Sequence, residues 1–115
     1  MRRGDLYFVD LDPHVGTEAN KTRPAVIVSN DAVNRTAERA GRGVVTLVPV
    51  TSNVDRVFPF QVLLPAGVAG LRMPSKAQAE QLRSVDVARI GRRIGALGPH
   101  LLAQLDDALR LHLDL

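Results

Sequence analysis

Cysteine and tryptophan are absent from the 115-residue chain, and aromatic residues make up 3% of it. Without cysteine neither a disulfide nor a thiolate metal site can form, which suits a reducing cytoplasmic setting. Three histidines, His14, His100 and His112, show no H-x-x-x-H spacing, so no metal site and no metal cofactor is expected. No apolar run approaches the roughly 20 residues that cross a bilayer, so no membrane partner is expected. The opening MRRGDLYFVD breaks at Gly4-Asp5 and has no long apolar stretch, so it does not read as a signal peptide. There is no G-x-S-x-G elbow and no G-x-x-x-x-G-K-[ST] phosphate loop. The scarcity of aromatic rings counts against a broad base-stacking platform.

What is present is ordinary globular material with one bias. Hydrophobic residues make up 45% and charged residues 23%, and the length suits a single domain spanning 1–115. The formal charge is +3, and 13 of the 15 basic residues are Arg. Arg forks bidentately onto phosphate. A coding bias toward Arg, Ala, Val and Leu accounts for the same counts, so composition alone does not choose a phosphate-rich partner.

The pattern predicts a mostly β domain closed by a helix. DLYFVDL, 5–11, alternates as a strand, with Leu6 and Phe8 on one face and Tyr7, Val9 and Leu11 on the other. A polar loop fills 12–22. RPAVIVS is a strand whose unbroken apolar run needs cover on both faces, with Pro24 at its first position. DAVNRTAERAG holds one or two helical turns. GVVTLVPVTS, 43–52, is a strand in which Pro49 marks an edge or bulge. A second polar loop, 53–59, leads into the short strand FQVLL, and PAGVAGL reads as a loop. KAQAEQLRSVD, 76–86, is ambiguous between helix and strand. RIGRRIG, 89–95, reads as short and broken by glycine. From Pro99, Leu101, Leu102, Leu105, Ala108, Leu109 and His112 recur at helical spacing, and His112 is expected to pack.

The chemistry gathers in the first polar loop. Glu18, Lys21 and Arg23 fall within six residues against the start of a buried strand. Glu18 is a candidate general base, and Lys21 and Arg23 can hold a phosphate. Thr51, Ser52 and Asn53 bring hydroxyl and amide groups to the end of another strand, where they hydrogen-bond phosphate readily. On physics alone a plainer reading is favoured: a surface ion pair of little value, and a turn starting at Thr51. His14 is a possible proton carrier, though a lone loop histidine is more often simply solvated.

The string RGDLYFVDLDP, then G-x-E, then KTRPAVIVSND resembles the MazF/PemK/Kid family of toxin endoribonucleases. The likeness is dense over 3–31 and continues more loosely through VTLVPVTS and AEQLRSVD. It implies an SH3-like antiparallel β-barrel with a short helix after the second strand and a C-terminal amphipathic helix. It implies a homodimer. It also makes AEQLRSVD a strand, with tertiary context overriding propensity.

The resemblance further implies metal-independent, sequence-specific cleavage of single-stranded RNA, inhibition of translation and neutralisation by a cognate antitoxin. On it Arg23 is the catalytic arginine, Thr51 contacts the phosphate and Glu18 is a base. Asn20, Lys21, Ser52, Gln81 and Arg83 are implied to bind substrate. Two other readings keep the fold: a gyrase-poisoning toxin, and a non-enzymatic RNA-binding barrel.

Overall fold

The computed structural model describes residues 1–11 and 22–115. Seven strands appear among them, β1 (Asp5–Asp10), β2 (Thr22–Ile27), β3 (Val44–Thr51), β4 (Gln61–Leu64), β5 (Ser75–Gln78), β6 (Arg83–Asp86) and β7 (Ile90–Ala96). Two helices join them, α1 (Asp31–Ala40) and α2 (Pro99–Leu113). All pairings are antiparallel. β3 is the trunk. It pairs β2 on one edge, while β6 takes Val44–Leu47 and β5 takes Val50–Thr51 on the other. Pro49 falls in the gap between β6 and β5, where a missing N–H costs no ladder bond. The sheet thus forks into two leaves, β6-β3-β2-β1-β7 and β3-β5-β4.

The unbroken apolar run of β2 does meet cover on both sides. Ala25, Val26 and Ile27 have no exposed surface. Val26 joins Leu6, Val48, Val50 and Leu64 in a core roofed by Leu105 and Ala108 of α2. Ala25 and Ile27 join Val9, Val45 and Leu47 in a second core beneath Ala37 of α1. α1 runs ten residues, longer than the one or two turns predicted, because both ends are capped. Asn30 accepts from the Val33 amide, and Gly41 closes the other end with left-handed backbone.

Three expectations change. The stretch 76–86 is strand, turn and strand: β5 ends at Gln78, Ala79–Gln81 form a 3-10 turn, and β6 begins at Arg83. RIGRRIG is not broken by its glycines: after Arg89, which ends a 3-10 turn, residues 90–95 lie within the full strand β7. A Cβ on Gly91 would lie 2.9 Å from the Phe8 carbonyl oxygen, and one on Gly95 would collide with the Ala69 carbonyl. These glycines permit close approach rather than ending a strand. His112 is exposed, whereas Leu101, Leu102 and Leu109 pack on the core as expected. Among the described residues the sheet does not close by hydrogen bonds. Instead the turn Val68–Gly70 seats against β7 and completes a barrel-like shape.

Candidate functional site

β2 starts where β1 and β3 stop, so three strand ends meet at one rim of the sheet. Arg23 is exposed there, one residue before the intermediate Pro24 and two before the buried run. β1 fixes its height, with Val9 opposite Arg23 and Phe8 opposite Pro24. The last β2–β3 pair is Ala25 with Pro49. Continued by two residues, that register sets Arg23 against Thr51, on strands about 4.8 Å apart. The buried strand is therefore a rigid mount for a residue that reaches solvent.

A hollow of about 800 Å³ opens at this rim. Its polar lining comes from Arg23, Arg72, Arg92, Thr51, Ser52 and Ser75, and its apolar lining includes Phe8, Met73 and Ile94. Among the described residues, none that lines it is acidic. Guanidinium stays protonated at any physiological pH. Among the described residues, neither Arg23, Arg72 nor Arg92 has an ion-pair partner. Arg92 instead sits 5.1 Å from the Phe8 ring centroid. β7 is bulged against β1 on both sides of Tyr7, a device that re-aims side chains next to sites. Thr51 Oγ1 accepts from the Asn53 amide at 3.2 Å, which fixes the hydroxyl at the strand end. Three cations and three hydroxyls make a wall suited to a phosphodiester.

The structure thus brings Arg23, Thr51 and Ser52 to one hollow. Glu18, Asn20, Lys21 and His14 lie outside the described residues. Gln81 and Arg83 do not line the hollow. Gln81 is exposed in its 3-10 turn, and Arg83 pairs across from Leu47, where its Nη1 donates to the Leu11 carbonyl at 3.1 Å. Phe8, Arg72 and Arg92 were not singled out from the sequence. Arg92 had a faint signal in its double arginine, and Phe8 in its place on the Leu6 face. Among the described residues no group of His, Asp or Glu could hold a metal. Nor is any helix there long and apolar enough to cross a membrane.

A forked, barrel-like sheet with a helix on each face and a basic, hydroxyl-lined hollow makes this a small β domain whose hollow suits an anion. Residues 2–113 match the family model for the PemK-like, MazF-like toxin of type II toxin–antitoxin systems. The chain belongs to that family. It is 61% identical over 115 residues to the endoribonuclease MazF9 of Mycobacterium tuberculosis, covering all of this chain and 98% of that one. It is 31% identical to the endoribonuclease EndoA of Bacillus subtilis, covering all of this chain and 96% of that protein. Its fold is similar to a MazE–MazF crystal structure from Deinococcus radiodurans, with a TM-score of 0.78 and 27% identity, over all of this chain and 96% of that one.

Proposed function

We propose that the protein is a sequence-specific endoribonuclease toxin acting on single-stranded RNA in the cytoplasm. The observation that carries this reading is the meeting of Arg23 with Thr51 and Ser52 on a hollow also lined by Arg72 and Arg92, in a member of this toxin family. The nucleophile is the substrate's own 2′-hydroxyl, so the protein needs no nucleophile motif and the reaction no metal. Glu18 takes the 2′ proton. The 2′-oxygen attacks the adjacent phosphorus, and the bond to the 5′-oxygen breaks. Arg23 stabilises the charge that builds on the non-bridging oxygens. The 5′-oxygen leaves and takes a proton from water, giving a 2′,3′-cyclic phosphate and a 5′-hydroxyl. Thr51 orients the phosphate, while Asn20, Lys21, Ser52, Gln81 and Arg83 hold the flanking nucleotides.

The protein acts as a homodimer, and a cognate antitoxin blocks the RNA groove. The net charge of +3 favours an acidic segment there. The test is incubation of the purified protein with a long defined RNA in excess EDTA, followed by end mapping. Cuts at a recurring short motif, lost in Arg23→Ala, support the reading. Intact RNA together with trapped gyrase–DNA complexes defeats it in favour of a gyrase poison, and binding without cuts defeats it in favour of an RNA-binding barrel.

A further inference from the structure

Two of the three phenylalanines lie together on a solvent-facing loop beside Thr51. Phe58 and Phe60 are stacked, with ring centroids 5.2 Å apart and planes within 4° of parallel. The Arg56 guanidinium lies 5.3 Å from the Phe58 centroid. Phe58 is 39% exposed. An aromatic stack and a cation turned toward water are what a nucleobase and its phosphate require.

The loop is tied to the hollow by a buried lysine. Lys76 pairs across from Thr51 on one side and Leu63 on the other, so these side chains share a sheet face. Lys76 is 8% exposed, and its Nζ donates to the Arg56 carbonyl at 2.5 Å. One lysine side chain therefore bridges the strand row that carries Thr51 and the backbone that carries the stack. Gln61 braces the other end of the loop. Its Oε1 accepts from the Phe58 amide at 3.1 Å, and its Nε2 donates to Glu80 at 2.9 Å. The rings are thus held in place before anything binds, which removes the ordering cost of association.

We propose that Phe58, with Phe60 and Arg56, forms a base-stacking subsite for a nucleotide next to the scissile phosphate. This rests on the RNA reading above and adds a part to it. Single-stranded RNA is the occupant because the loop that carries the stack leaves β3 at Thr51 and Ser52, which line the phosphate hollow. Its cation also complements the RNA backbone. Every base has a π-face, so the subsite adds affinity with little sequence preference.

The chain has no tryptophan, so Phe58→Trp introduces a single indole that reports its own stacking. The probes are 2′-O-methyl oligoribonucleotides, which cannot attack their own phosphate, built on the mapped cleavage site. One has about ten nucleotides, within the span such surfaces hold, and one carries the scissile step alone. Phe58→Ala is expected to weaken the longer probe about tenfold and the shorter less than twofold, in line with one lost base stack. Phe58→Trp is expected to keep wild-type affinity and to change its fluorescence as the longer probe saturates. Arg42→Ala, an exposed arginine beyond α1, serves as the control for general loss of charge.

An indole silent to saturating RNA overturns the subsite, even if Phe58→Ala proves too unstable to assay. So does an indole that responds to self-association or to an antitoxin peptide but not to RNA. A wild-type protein that neither binds nor cuts RNA instead overturns the parent reading. Cleavage with a silent indole removes the subsite alone.

Discussion

Arg92 and Arg93 are neighbours in the chain and live differently. Arg93 turns to Asp5, whose Oδ1 accepts from its Nη2 at 3.3 Å. Arg92 turns to the hollow, lies over Phe8 and has no carboxylate partner among the described residues. The same division runs through the molecule. Arg3 is spent on structure, with Nε donating to the Val28 carbonyl at 2.8 Å and Nη2 to Asp106 at 2.6 Å. Arg23 and Arg72 keep their charge for the rim. An arginine paired with a carboxylate ties elements of the fold together, and an unpaired one beside a hollow is available to an incoming anion.

The sharpest way to break that division is Arg23→Ala. It is expected to lower the RNA cleavage rate by about 10²–10³, since one contact to developing charge is lost. Its thermal midpoint should stay within about 2 °C of wild type, as for surface changes in general. A midpoint that fell along with activity would make Arg23 structural. Arg92→Ala should act next, by binding. The slope of log affinity against log salt should shrink by about 0.7, the value for one phosphate on a single strand. An unchanged slope would remove Arg92 from the RNA path.

The paired arginines should show the reverse pattern. Arg3→Ala is expected to cost about 1 kcal/mol in urea unfolding, because the ion pair is only part-buried and solvent screens it. Cleavage by that variant should hold. Arg110→Ala breaks a helix-surface pair with Asp107 in which both side chains are more than half exposed, and it should move stability by less than about 0.5 kcal/mol.

A pH effect attaches to the same paired group. Burial raises the Tyr7 phenol above its ordinary value of 10.0, and the Asp5 and Glu38 charges add to this, while Arg93 opposes it. The folded protein therefore holds this proton more tightly than the unfolded chain. Its stabilising contribution is complete below about pH 10, the ordinary phenol value, and is lost as pH rises through the higher folded value. Tyr7→Phe should flatten that alkaline fall, and Arg93→Ala, which removes the opposing charge, should extend it to higher pH. Urea unfolding followed between pH 9 and 11 checks both.

The sequence made the trunk of the fold readable because those segments keep one period. β1, β2, β3 and α2 each bury a face, or both faces, with regular spacing. The end of the chain before α2 was harder, for a physical reason. In RIGRRIG the glycines answer to the backbones of Phe8 and Ala69, which are far away in sequence, so local rules misread them as breaks. In 76–86, neighbouring strands impose extended backbone on residues that favour helix when alone. For the site, motif likeness brought out Arg23, Thr51 and Ser52 before any coordinates. Arg72 carries no local signature and Arg92 only the faint one of its double arginine, because what distinguishes them is their place on the hollow, which appears only after folding.

One contact constrains how this chain can change over generations. Gly70, at φ +81°, leaves room for the Ile94 carbonyl, and Gly95 in return leaves room for that of Ala69. The two dipeptides, 69–70 and 94–95, are interlocked main chain to main chain. A side chain gained at either glycine would push the turn off β7 and open the wall that Gly70 and Ile94 give the hollow. The two sites should therefore drift as a unit among descendants, with a bulkier residue at one tolerated where the other turn has been rebuilt or shortened.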